Sequence, residues 1–376
     1  MKFVDEFRAA DVIGKASEEI RRLSDPNRHY RFMEVCGGHT HAIYRFGLKD
    51  LLPSNIELVH GPGCPVCVLP MGRIDDGLSM SADANVIFAA FGDMMRVPGT
   101  QGSPLEHKAR GMDVRIVYSP ADALRLAQKN PDRHVMFFAI GFETTAPSTA
   151  LTLMRAKVQG VKNFSVFCNH VTIIPAIRAI LDSPDMRIDA FIGPGHVSTV
   201  IGCRPYEWIA RNEGKPIVVS GFEPVDVLQS IVMLLQQLGR GESKVENQYK
   251  RVVPWEGNRA ALQAMAEVFE LRPYFEWRGM GFISQSALRV RESYAQWDAE
   301  QRFQVPGVRV TDPKAAQCGE VLKGVLKPAQ CKLFGNECTP ERPVGALMVS
   351  TEGSCAAYYN YEHRKASVLT SIGAPV

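Results

Sequence analysis

Eight short runs of β-branched and aromatic residues, alternating with stretches of helical spacing, constrain this chain more than any other feature. The runs cover residues 31–35, 56–60, 86–91, 114–118, 134–140, 164–167, 190–192 and 216–220. Such alternation builds parallel sheets with helices on both faces. Helices are expected at 121–128, behind the Ser119-Pro120 cap, and at 147–158, 173–181 and 225–238. The last four runs follow the first four at an offset of roughly 100 residues, which reads as a structural repeat. The expected fold is therefore α/β: two similar domains, each a parallel four-stranded sheet flanked by helices, over 1–125 and 126–240. Past residue 240 comes one helix pattern, 258–269, and then a Pro/Gly-rich stretch. Residues 241–376 form a third, cysteine-rich unit with too few strand signals for another sheet. A chain of 376 residues is long enough for such a division.

In open α/β sheets, ligands sit beyond the carboxyl ends of the strands. The unusual segments of this chain fall at such ends. Cys36-Gly-Gly-His39-Thr-His41 follows the first run and Gly61-Pro-Gly-Cys64-Pro-Val-Cys67 the second. Phe91-Gly-Asp93, Gly141-Phe-Glu143-Thr-Thr145, Cys168-Asn-His170, Gly193-Pro-Gly-His196 and Gly221-Phe-Glu223 follow later runs. If the two sheets face each other, these loops line one cleft. Thiolates and imidazoles are ligands of transition metals. A Cys-x-x-Cys pair held between Gly and Pro is also the spacing of a redox dithiol. Adjacent strand ends bring Cys36 toward Cys64 and Cys67. His39, His41 and His196 are candidates to ligate, shuttle protons or orient a ligand, although a structural hydrogen bond serves each equally well. Glu143 and its two threonines are either polar site groups or a helix cap.

The remaining cysteines divide in two. Cys168 and Cys203 read as buried thiols. Cys318, Cys331, Cys338 and Cys355 crowd into 38 residues of loop-rich sequence. Four thiolates close a zinc site or hold an iron–sulfur cluster, and spacing alone leaves both open. The charged start, Met1-Lys-Phe-Val-Asp-Glu6, lacks a signal peptide's apolar core, and the longest apolar run, 135–142, is short for a membrane span. A cytoplasmic location follows, where nine cysteines serve as ligands, redox groups or buried thiols rather than as structural disulfides. Net charge is +3 with no block of like charges, which gives no sign of a nucleic-acid or membrane surface. The phosphate-binding, dinucleotide, serine-hydrolase and zinc-protease motifs are all missing. No standard hydrolase, kinase or dehydrogenase is thereby indicated.

The combination of motifs resembles the HypD family, accessory proteins that mature [NiFe] hydrogenases. The resemblance is carried by Glu34-Val-Cys-Gly-Gly-His-Thr-His41, His60-Gly-Pro-Gly-Cys-Pro-Val-Cys-Val-Leu-Pro70, Gly141-Phe-Glu-Thr-Thr145, Pro194-Gly-His-Val-Ser198 and Glu352-Gly-Ser-Cys355. It implies two similar α/β domains plus a cysteine-rich domain. It also implies a [4Fe–4S] cluster on Cys318, Cys331, Cys338 and Cys355, and iron and redox roles for Cys36, Cys64 and Cys67. The implied function is assembly of the iron centre that carries two cyanides and one carbon monoxide. The implied partners are the small protein HypC and the cyanide donor HypE. Two other readings suit the same residues: a [4Fe–4S]-dependent thiol–disulfide reductase of a protein partner, and a zinc-stabilised interaction module.

Overall fold

Runs of apolar residues become strands because a strand buried on both faces has no place for a polar alternation. All eight residues of β5 (His134–Gly141) and all five of β3 (Val86–Ala90) are buried. The structure, a computed structural model, describes residues 5–184, 186–305, 307, 310 and 315–363. The charged opening, residues 1–4, therefore lies outside the described residues, as do residues 364–376 of the expected third unit.

Two parallel sheets form. The first contains β1 (Tyr30–Glu34), β2 (Ile56–His60), β7 (Ala190–Pro194), β8 (Ile217–Ser220) and β9 (Val245–Asn247), in the order β2-β1-β7-β8-β9. The second adds β4 (Val114–Ile116) and β6 (Phe164–His170) to β3 and β5, in the order β4-β3-β5-β6. The expected helices are present as Pro120–Lys129, Ala146–Val158, Ile173–Leu181, Pro224–Gly239 and Arg259–Val268.

The expected division of the strands is corrected. A boundary at 125/126 would separate β1–β4 from β5–β8, yet β1 pairs with β7 and β3 with β5. The second unit, from helix Met71–Met80 to helix Ile173–Leu181, is inserted between β2 and β7 of the first. The boundary at 240/241 also moves, because β9 is the fifth strand of the first sheet. A repeat does exist: each unit has the order second-first-third-fourth in its own strands. Corresponding strands, such as β1 with β3 and β7 with β5, lie roughly 55 residues apart. An offset twice as large mimics this because the insertion is about twice as long as either half of the unit around it.

The inner faces of both sheets share one apolar core, with Met33, Val59, Phe191 and Val219 from the first and Phe88, Met136 and Phe138 from the second. The outer faces are covered separately. The units are thus packed against each other by burial, and the carboxyl ends of their strands meet. Beyond residue 259, two antiparallel ribbons follow, β10 (Phe269–Leu271) with β13 (Leu288–Val290) and β11 (Tyr274–Trp277) with β12 (Gly281–Ser284). Short helices then carry Cys318 and Cys355, with Cys331 and Cys338 outside helices between them. Among the described residues, no helix is long and apolar enough to cross a membrane.

Candidate functional site

In a sheet wound in both directions from its centre, the loops on either side of the switch diverge and leave a crevice. Here β1/β7 and β3/β5 are the switch points, and the two crevices open onto each other. Together they make a cleft of ≈ 440 Å³. The first unit contributes Cys36, Gly63 and His196 to its wall; the second contributes Phe91, Asp93, Gly141, Phe142, Thr144 and Thr145.

Cys36 caps α2 (Gly37–Arg45). Its backbone N–H donates to Glu34 Oε2 at 2.9 Å, and its carbonyl accepts from His39 N at 2.8 Å. The amides of Gly38 and His39 favour the thiolate, but burial outweighs them and, with Glu352 and Glu34 nearby, pushes the thiol up to about 12. The free group is therefore a neutral thiol, and a metal ion that binds it displaces a proton. The Sγ atom lies 3.8 Å from Nδ1 of His196, a neutral imidazole whose pKa is lowered to about 4 by burial and by neighbouring His39. Phe222 stacks on His196, with ring centroids 3.8 Å apart, and on His39 at 4.5 Å.

The second thiol loop abuts the first. Gly37 N donates to Gly63 O at 3.1 Å, and a Cβ at position 63 would collide with the Cys36 backbone. Cys64 and Cys67 are joined by a disulfide across the one-turn helix α3 (Pro65–Val68). The Cys67 amide donates to Cys64 Sγ at 3.3 Å, which favours Cys64 as the thiolate once the bond opens. Any ligation of iron by either sulfur requires that opening. The other seven cysteines are free, and Cys168 and Cys203 are buried.

Four of them converge in the C-terminal unit. Cys318, Cys331, Cys338 and Cys355 line one pocket whose other walls include Ala316, Val321, Leu333, Phe334, Leu347 and Met348. Burial and the three neighbouring cysteines raise Cys355 well above an ordinary thiol. The amides of Val344 and Gly345 donate to Cys338 Sγ at 3.4 and 3.3 Å. Position 345 must be glycine-sized, because a Cβ there would press on Cys318 Sγ. Among the described residues, no group of three or more His, Cys, Asp or Glu side chains is placed to hold a metal ion. Four thiols around an apolar space, with N–H donors to sulfur, are a donor set that a [4Fe–4S] cluster would fit. This pocket touches the disulfide: a Cβ at Gly353 would meet both Leu347 O and, at 3.1 Å, Cys67 Sγ.

The other expected site residues lie apart from the cleft surface. His39 is fully buried, with Nε2 2.9 Å from Gly221 O and 3.2 Å from Ser220 O, so it ties α2 to the end of β8. His41 turns toward the C-terminal unit and packs edge-on against Tyr361. Glu143 is buried behind the wall. Its Oε1 accepts from Ile173 N at 3.1 Å, its Oε2 has no partner, and burial raises its pKa to about 7. Sequence reasoning missed Glu34, Glu352 and Phe222 as site residues. Glu34 is fully buried and accepts from Cys36 N, from Thr40 Oγ1 and from His60 Nδ1 at 2.8 Å. Glu352 lines the cleft, and its side chain fills the space above Gly37. Both stand inside motifs already quoted for their cysteines; the available signal was a carboxylate two or three residues from a thiol.

Two α/β units thus share a crevice with the free thiol of Cys36 in its wall, next to a disulfide-bearing loop, and a four-cysteine cradle stands in the C-terminal unit. The HypD family profile, described as "Hydrogenase formation hypA family", matches residues 11–362. The hydrogenase maturation factor HypD of Escherichia coli K12 is 55% identical over 370 residues, covering 97% of this chain and 99% of that protein. The HypD proteins of Rhizobium leguminosarum bv. viciae and Rhodobacter capsulatus are 54% and 53% identical, over 96% and 98% of this chain and 96% and 100% of theirs. The chain belongs to the HypD family of hydrogenase maturation factors.

Proposed function

We propose that the cleft is the scaffold on which an iron ion, the cargo, receives two cyanides and one carbon monoxide. The observation that carries this is the position of Cys36: a free thiol at the meeting of two switch points, on a loop that touches the Cys64–Cys67 disulfide. Cys36 binds the iron as thiolate. Cys64 and Cys67, when reduced, supply two electrons and share ligation. A small HypC-type partner closes the iron's coordination from the open side of the cleft. A HypE-type partner delivers cyanide as a thiocyanate on its chain terminus. The reduced pair then converts that thiocyanate to a thiol and hydrogen cyanide, and is itself oxidised to the disulfide. Cys318, Cys331, Cys338 and Cys355 hold a [4Fe–4S] cluster, which when bound supplies single electrons. His196 faces the Cys36 thiol at the cleft wall, and Glu143 holds a proton behind that wall; His39 and His41 fix the loop that carries Cys36. The seven free thiols suit a reducing cytoplasm.

The disulfide also suits a thiol–disulfide reductase acting on a protein partner. The two readings separate in the chain purified anaerobically with a HypC-type partner. The scaffold binds iron in excess of acid-labile sulfide, and Cys36→Ala removes the excess while leaving the sulfide. Equal iron and sulfide in the unaltered chain would favour the reductase.

A further inference from the structure

Phe222 is not a wall residue of the cleft, yet it lies flat against the imidazole that faces the free thiol. Its ring plane is 21° from that of His196 on one side and 24° from that of His39 on the other. Two glycines make room for this stack. A Cβ at Gly38 would stand 2.9 Å from Phe222 and 3.1 Å from His196, and one at Gly195 would stand 3.0 Å from Phe222. The far end of the stack is anchored, because His39 reaches the Ser220 and Gly221 carbonyls. The backbone around Phe222 is pinned as well: Gly221 N donates to Gln248 Oε1 and Glu223 N to Asp226 Oδ2, each at 3.2 Å. Asp226 is buried and paired with Arg251 at 2.6 Å.

His196 stands at the start of the helix Gly195–Ile201 and is an exposed residue of the cleft wall. An exposed ring turns about its side-chain bonds unless a neighbour holds it. Phe222 holds this one with Nδ1 toward Cys36 Sγ, 3.8 Å away. A tetrahedral ion with a thiolate at about 2.3 Å and an imidazole nitrogen at about 2.0–2.1 Å sets those two donors about 3.6 Å apart. The sulfur and the nitrogen are therefore already spaced as neighbouring ligands of one ion. The charged residues of the cleft wall are Asp93 and Glu352, and both favour a cation there.

We propose that His196 Nδ1 ligates the iron beside Cys36, and that Phe222 is the positioning residue that aims it. The inference rests on the scaffold reading and adds a nitrogen donor to it. The remaining positions stay open to the partner and to the opened Cys64–Cys67 pair.

The test uses the untagged full chain, purified anaerobically with its disulfide intact and titrated with cobalt(II), whose X-ray absorption edge is separate from that of iron. The expected spectrum contains a sulfur neighbour and the outer-shell scattering of an imidazole. Cys36→Ala should remove the sulfur. Phe222→Leu keeps apolar bulk without a flat face and should weaken cobalt binding about ten-fold, while Phe222→Tyr should restore it. His196→Ala should remove the imidazole scattering and weaken binding at least as much as Phe222→Leu, with sulfide content and unfolding temperature unchanged. Sulfur without imidazole, imidazole scattering that survives His196→Ala, or Phe222→Leu binding as tightly as the unaltered chain would each overturn the inference and leave the scaffold reading standing. A spectrum without sulfur would defeat the scaffold reading, and this inference with it.

Discussion

Two buried glutamates stand at the two switch points, and they are wired in opposite ways. Glu34, at the end of β1, has both oxygens engaged, by Cys36, Thr40 and His60. Glu143, just beyond β5, has one oxygen engaged and one without a partner, and burial raises its pKa to about 7. The first is an anchor that sets the backbone carrying the free thiol. The second is a carboxyl behind the facing wall that burial biases toward its protonated form. The duplicated fold offers the same place twice, and the local donors decide which job the carboxyl takes.

The largest expected effect is on the anchor. Glu34→Gln puts an amide N–H₂ against donors that need acceptors, at a cost on the order of 2–5 kcal/mol. Urea unfolding measures it, and an unchanged midpoint would erase the distinction between the two glutamates. At Glu143 the sign is reversed. Its folded pKa lies above the ordinary 4.5, so between those values the folded chain holds a proton that the unfolded chain has lost. Stability therefore falls as pH rises through that window, by up to about 3 kcal/mol. Glu143→Gln should flatten this slope, leaving the variant relatively more stable at pH 8 than at pH 5 in thermal unfolding. A parallel offset at both pH values would contradict the assignment. The smallest effect is expected at Gly63, whose missing Cβ admits the Cys36 backbone. Gly63→Ala should cost about 2 kcal/mol and reduce iron uptake without altering sulfide content, read by metal and sulfide analysis of the same sample.

Much of this was legible in the sequence. Strand runs and helix caps are local, and the strand ends at 35, 60, 91 and 140 led directly to the loops that line the cleft. Sheet membership was not legible. Which strands pair is decided by which apolar faces can be buried together, and an inserted unit breaks the link between chain order and neighbourhood. The roles of the histidines could not be sorted from the sequence for a related reason. His39 and His41 follow Cys36 directly, but helical rotation carries one into the core and the other toward Tyr361. His196, some 160 residues away, is the imidazole beside the thiol. Glu34 stayed hidden because a carboxylate two residues from a cysteine declares its role only through its partners.

The claim that Cys36 is where the iron is held and dressed is tested most directly by infrared spectroscopy. The chain is co-purified anaerobically with a HypC-type partner, alongside a Cys36→Ala variant that retains its sulfide. Cyanide and carbonyl stretches are expected from the unaltered complex and absent from the variant. The same bands in Cys36→Ala would contradict the assignment.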